Sequence, residues 1–291
     1  FTHFTYFYIM KSIFDSVSKE TSKLVIKKYS TSFYFSSSLL SKKIRQDIFN
    51  IYGFVRLADE IVDTFHDYPK KQLLDDFESE LWRSIDNKIS LNPILNSFQF
   101  TVNKYSIPKN LIISFLDSMK MDLDKKEYNS VEEYKKYIYG SADVVGLMCL
   151  KVFVNGSDDL YRDLSEYAIS LGSAFQKVNF LRDLRDDSNI LKRVYFPNID
   201  MDRFDENSKL EIIKEIEVDF KNAINGIAKL PKNSKFAVYI AYRYYNKLLK
   251  KLKRTSSENI VKNRVRIHNY QKIAVIARSY IKYQLNLIQW I

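Results

Sequence analysis

Glycine and proline are nearly missing from this chain, six and five in 291 residues, far below ordinary usage. Both residues punctuate structure, so a chain with so few of them has little means of turning often. It must run in long helices, and the expected fold is all-α, without a clear domain boundary. The apolar residues, 46% of the chain, recur at spacings of three and four as that fold requires. Helices are read at about 12–28, 44–65, 70–87, from SLNPIL to about 105, at 109–124, 130–153, 160–186, 207–228, 233–253 and 258–286. YSTSFYFSSSLL (29–40) is read as a Ser/Thr-rich break that leads into helix, SIPKN as a turn in which Pro108 starts a helix, and NGSDD as a turn. Ser130 with Glu133 forms a capping-box pattern. Gly140 and Gly146 then fall inside a helix, where each costs about 1 kcal/mol against alanine. A kink, a close helix contact or a wall thinned beside a ligand would account for them. His66 is read as a cap at the C-terminal end of the helix before it.

Composition excludes several chemistries. No Gly-rich phosphate loop is present, which argues against Rossmann and P-loop nucleotide sites. A single cysteine, Cys149, rules out an intrachain disulfide framework and a cysteine zinc cluster. Three scattered histidines, His3, His66 and His268, do not make a histidine metal site. No run reaches the ~20 uncharged residues of a membrane span. The opening FTHFTYFYI (1–9) lacks the basic start and small-residue cleavage site of a signal peptide, and Met10 begins a more ordinary start. Residues 1–9 are accordingly read as an upstream extension of a domain covering 10–291, and the protein as cytoplasmic. The formal charge of +11 is concentrated at one end: from Lys235 onward there are 13 Lys/Arg and one acid, Glu258. Such a segment suits an anionic partner, or is simply a solvated surface.

The informative feature is a pair of acidic stripes. In YGFVRLADEIVD (52–63), Asp59 and Asp63 lie one turn apart beside the apolar Phe54, Leu57 and Ile61. No lysine follows four residues on. In LGSAFQKVNFLRDLRDD (171–187), Gln176, Asn179, Asp183 and Asp187 share one helix face. One such pair is ordinarily surface charge. Two, each accompanied by an arginine (Arg56, Arg182), point to a cation held by oxygen ligands alone, the donor set of Mg²⁺ with Mn²⁺ as substitute. Magnesium keeps open positions for phosphate oxygens, and the arginines could grip the same anion as guanidinium forks.

Together with YSTSF (29–33), YGSADVVG (139–146) and RVYFP (193–197), the two motifs resemble the squalene/phytoene synthase family from about Met10 to near the end, and most of all its bacterial phytoene synthases. The resemblance implies an isoprenoid-synthase-type helical bundle with a central cavity. It also implies Mg²⁺-dependent head-to-head condensation of two allylic isoprenoid diphosphates through a cyclopropyl intermediate, in carotenoid biosynthesis. Carried over position by position, it assigns metal binding to Asp59, Asp63, Asn179, Asp183 and Asp187. Catalysis would involve those aspartates with Arg56 and Arg182, and substrate contact falls to Tyr29, Ser30, Thr31, Ser32, Tyr52, Arg56, Gln176, Arg182, Tyr245 and Arg264. Many relatives carry histidine where this chain has Tyr29. Geranylgeranyl diphosphate is the expected substrate and NADPH is not expected, with squalene or dehydrosqualene synthesis from farnesyl diphosphate as the alternative. A catalytically dead assembly factor would have eroded aspartates, which are intact here. Nucleic-acid binding through the basic end leaves the acidic stripes unexplained. Transient peripheral contact with a membrane agrees with a lipid substrate and basic C-terminal helices.

Overall fold

The chain is helical wherever the 3.6-residue period runs. The computed structural model describes residues 2–125, 127–128, 130–186, 193, 195–197 and 204–285, and among them only an isolated bridge at Glu127 departs towards strand. In chain order the helices are α1 (Thr2–Tyr29), α2 (Thr31–Ser37), α3 (Lys42–Asp63), α4 (Lys70–Asn87), α5 (Pro93–Tyr105), α6 (Lys109–Asp124) and α7 (Val131–Ile138). A π-helical turn at Tyr139–Asp143 follows, then α8 (Val144–Phe153), α9 (Asp158–Asp186), α10 (Glu206–Lys229), α11 (Lys235–Arg254), α12 (Ser257–Lys262) and α13 (Asn269–Gln284). The caps are those the residues invite. Asn92 Oδ1 accepts from the amides of Ile94 and Leu95 ahead of Pro93, and Ser130 Oγ accepts from Glu133. With glycine so scarce, Lys88, Ser106 and Asn155 take the left-handed conformation beside Gly156, and each pays a local steric cost of about 1 kcal/mol.

Four sequence expectations need correction. The Ser/Thr-rich segment is itself helical as α2. The Ser37 and Ser38 hydroxyls donate back to the carbonyls of Phe33 and Tyr34, both at 2.6 Å, which satisfies them within the helix. The helix read at 258–286 is two helices separated by an extended stretch in which Val265 and Ile267 are buried while Arg264 and Arg266 stay exposed. That alternation is the strand period, not the helical one. The helix read at 12–28 begins at Thr2. His66 lies beyond the end of α3 with Nδ1 3.0 Å from Lys70 Nζ, and it is Lys70 that donates to the Val62 carbonyl at 2.7 Å.

Two large apolar clusters hold the helices, beside a small third one of Leu150, Val154, Leu164 and Leu230. One joins α3, α4, α5, α6 and α8, where Phe54 is fully buried and stacks on Phe98 at 4.0 Å. The other joins α7, α9, α10, α11 and the extended stretch before α13. The π turn crosses between them. At Gly140 a Cβ would stand 1.9 Å from Ser118 Oγ and 2.4 Å from the Ser114 carbonyl, so the close helix contact, with α6, is the reason for this glycine. Asp143 in the same turn accepts from Ser173 of α9 at 2.7 Å. A cavity lies along the seam between the clusters, walled by α2, α3, α8, α9, α10 and α11.

Candidate active site

Phe54 anchors α3 in the core and so fixes which way the helix's acidic stripe faces. Tyr52 and Arg56 line the cavity. Tyr52 stacks on Phe33 at 5.4 Å and hydrogen-bonds Ser30, and burial pushes its hydroxyl up to about 12. The Arg56 guanidinium lies 4.5 Å over the Tyr29 ring. It also binds Asp59 at 2.5 Å and Glu60 one turn further on. The missing lysine of the first stripe is thus supplied from the N-terminal side. Even so, burial first, and then the like charge of Asp63, raise the Asp59 carboxyl to about 7 against the pull of Arg56.

On α9 the described part of the second stripe lines the cavity that Tyr52 and Arg56 line. Gln176, Asn179, Arg182 and Asp183 all face it. Phe175 stacks on Tyr245 of α11 at 4.0 Å. Asp183 is held by two arginines: Arg182 Nε at 2.8 Å, and Arg264 Nε at 2.7 Å. Arg264 reaches it because the chain between α12 and α13 is extended. Asn179 Oδ1 is buried and without a hydrogen-bond partner among the described residues.

Behind Asp63 lies a polar knot. Arg193 is buried and bonds Asp63 Oδ1 at 2.6 Å and the Asp122 carbonyl at 2.8 Å. The Asp122 carboxyl, 3.7 Å from Arg193, accepts from the Tyr137 hydroxyl at 2.9 Å. Burial raises it to about 8, with Arg193 opposing and Asp63 reinforcing the rise. A ring cluster closes over this knot: Phe180 stacks on Tyr195 at 3.9 Å, and Tyr137 on Tyr195 at 5.4 Å. Arg193 and Asp122 were not among the candidates from sequence. The signal for Asp122 was present: it falls on the core face of α6 in register with Phe115 and Met119, where a carboxylate is out of place.

The cavity measures about 510 Å³, within the range of small-molecule sites. Its mouth carries Tyr29, Ser30, Tyr52, Arg56, Gln176, Asn179, Arg182, Asp183, Tyr245 and Arg264. Its depth is apolar, with Ile48, Val145, Cys149, Phe153 and Ala237 among the walls. Ala142 and Gly146 line it too, and Gly146 also meets the Ala168 carbonyl of α9 closely. Thr31 and Ser32 are not lining residues, and neither are Asp59 and Asp63, which lie on α3 beyond Arg56. Asp187 is outside the described residues. Among the described residues no three His, Cys, Asp or Glu side chains form a metal cage. The residues present nevertheless fit a hard cation that takes few protein ligands: Asn179 offers an unpaired buried oxygen, and Asp59 and Asp63 are like charges crowded together.

The chain is similar to known proteins. Residues 26–271 match the squalene/phytoene synthase family. The phytoene synthase of Arthrospira platensis is 26% identical over 292 residues, 92% of this chain and 94% of that one. The chloroplastic phytoene synthase of Narcissus pseudonarcissus is 24% identical over 94% of this chain and 67% of its own. Among solved structures, a dehydrosqualene synthase in complex with ligand superposes with a TM-score of 0.77 at 21% identity, covering 93% of this chain and 98% of that one. The squalene synthase HpnC from Alicyclobacillus acidocaldarius gives 0.71 at 20%, over 81% and 93%. The all-helical isoprenoid-synthase-like fold follows from these superpositions.

Proposed function

This chain belongs to the squalene/phytoene synthase family of head-to-head prenyltransferases, and from that premise we propose that it is a phytoene synthase, condensing two geranylgeranyl diphosphates. What supports the reading is one cavity with a charged mouth and a greasy depth: Arg56, Arg182 and Arg264 at the opening, aliphatic and aromatic walls below. That relatives it matches are named phytoene synthases favours geranylgeranyl diphosphate over farnesyl diphosphate in this reading.

The residues divide the work as their chemistry dictates. Arg56, Arg182 and Arg264 receive diphosphate oxygens as guanidinium forks, exchanging Asp59 and Asp183 for the ligand. Asp59, Asp63, Asn179, Asp183 and Asp187 would hold Mg²⁺, whose charge, when bound, stabilises the departing diphosphate. Ser30 and Tyr52, already joined by a hydrogen bond, set the edge of the diphosphate site. The apolar walls exclude water from an allylic cation, and the rings of Phe33, Tyr52, Phe175 and Tyr245 present π faces to it. Because substrate and product are long hydrocarbons, the enzyme works in peripheral contact with a membrane.

The test is incubation of the chain with Mg²⁺ and either geranylgeranyl or farnesyl diphosphate, followed by identification of the extracted lipid. A C40 polyene from the first substrate is expected. A C30 product from the second with nothing from the first would replace this reading by squalene or dehydrosqualene synthesis, and no product from either would remove the enzymatic assignment.

A further inference from the structure

Helix α11 has two working faces. Ala237, Val238, Ala241 and Tyr245 wall the cavity described above. Tyr242, Arg243, Asn246, Lys247 and Lys250 face away from it, into a second cleft of about 360 Å³ closed on the other side by α13 through Ala274, Val275, Arg278 and Lys282. Five cations therefore meet in one cleft, and neither α11 nor α13 contains an acidic residue. Arg278, Lys250 and Lys282 have no acidic partner among the described residues. Burial, and then the charge of Arg278, hold Lys247 below the usual lysine range. Like charges packed this way repel one another, and an anion in the cleft would relieve them.

The outer face of α13 is apolar where a solvated helix would be polar. Tyr270, Ile273, Ala277, Ile281 and Leu285 recur at helical spacing along it, with Tyr280 on its flank, edge-on to Phe236 at 5.9 Å. Ile273 is 67% exposed and Ile281 58%. The inner face is satisfied already, by buried Val275 and by Tyr283 against Phe236 at 4.9 Å. An apolar ridge beside a cationic cleft suits a surface that is both anionic and apolar a few ångströms down, which is the interface of an anionic bilayer. A second copy of this chain, docked isologously, would set cations against cations. A nucleic acid would satisfy the cleft and leave the isoleucines in water.

We propose that α13 and the cleft beside it dock the protein on an anionic phospholipid bilayer, with lipid phosphates entering between α11 and α13 and the Tyr270–Leu285 ridge entering the interface. The proposal deepens the reading of a membrane-derived substrate. It places the bilayer one helix away from the cavity, so that α11 separates the two.

The experiment is co-sedimentation of the full chain with vesicles of phosphatidylglycerol and phosphatidylcholine, and with phosphatidylcholine alone. Wild type should partition into the anionic vesicles, less so as salt rises, and little into neutral ones. R278Q/K282Q should bind about thirty-fold more weakly, at about 1 kcal/mol per cation removed. I273S/I281S, which changes only outward-facing side chains, should also lose binding, with wild-type circular dichroism in both variants. Equal binding of wild type to both vesicles, or wild-type binding by both variants, would overturn the proposal. So would a wild-type dimer that I273S/I281S dissociates, or RNA affinity lost in R278Q/K282Q where wild type ignores vesicles. Turnover of detergent-dispersed substrate should be unchanged in both variants. A wild type that binds anionic vesicles yet turns over neither diphosphate would sink the proposed activity and leave the docking surface standing.

Discussion

Replacing Arg193 by methionine removes the only charge that reaches Asp63 and Asp122 together in the described knot. Asp122 is 3% exposed at its side chain, with its carboxyl raised to about 8. At pH 6 it is protonated, and Arg193→Met then strands the half-buried Asp63 and deletes the bond to the Asp122 carbonyl. Breaking such a pair costs about 3–5 kcal/mol. At pH 9 the wild-type carboxyl is ionised, one pH unit past its pKa, and that ionisation lowers the native free energy by about 1.4 kcal/mol. Without the guanidinium the carboxyl keeps its proton at pH 9 and the gain is lost. The destabilisation should therefore be about 1.4 kcal/mol larger at pH 9 than at pH 6. The sign for the wild type is the reverse of an ordinary salt-bridged aspartate. Because the folded pKa lies above the unfolded one, Asp122 subtracts stability as pH climbs from about 4 to about 8 and nothing further above that. Urea unfolding at the two pH values, in the wild-type and Asp122→Asn backgrounds, measures both effects. A pH-independent loss, or the same growth when Asp122 is asparagine, would refute the reasoning.

Other outcomes follow from the same geometry. Asp59→Asn or Asp183→Asn should abolish turnover of the isoprenoid diphosphate while circular dichroism stays helical; full activity in either would remove the stripe from the mechanism. Because burial and Asp63 hold Asp59 near 7, protons and Mg²⁺ compete for it, so the Mg²⁺ concentration for half-maximal rate should rise several-fold from pH 8 to pH 6. A flat requirement would mean that Asp59 is not a ligand. Gly140→Ala should cost about 3 kcal/mol, since its methyl would overlap Ser118 Oγ and the Ser114 carbonyl. Adding Ser118→Gly should recover only part of that by denaturation, because the carbonyl stays.

Much of the architecture was legible because helical period and breaks are local. The starts at Lys70, Pro93 and Lys109 follow proline and asparagine signals that act within a turn. The grouping of Gln176, Asn179 and Asp183 along the cavity follows from 3.6 residues per turn alone. What the chain hid were meetings between distant segments. Arg193 finds Asp63 and Asp122 across 130 and 71 positions, and no pattern within one helix announces that. The break at Arg264 was written in the alternation of NRVRIH but was overrun by the longer apolar period on either side. The Ser-rich stretch read as a break because serine usually competes with helical hydrogen bonding, whereas here its hydroxyls fold back onto their own carbonyls.

The wide turn at Tyr139–Asp143 has a consequence for the rod that contains it. An extra residue in one turn rotates everything downstream by about 100° relative to everything upstream. Tyr134, Tyr137 and Ile138 accordingly look into one apolar mass, while Val144, Leu147 and Met148 look into the other. One continuous length of backbone thereby packs into both apolar masses, its phase slip lodged against α6 at Gly140, where a Cβ would overlap Ser118.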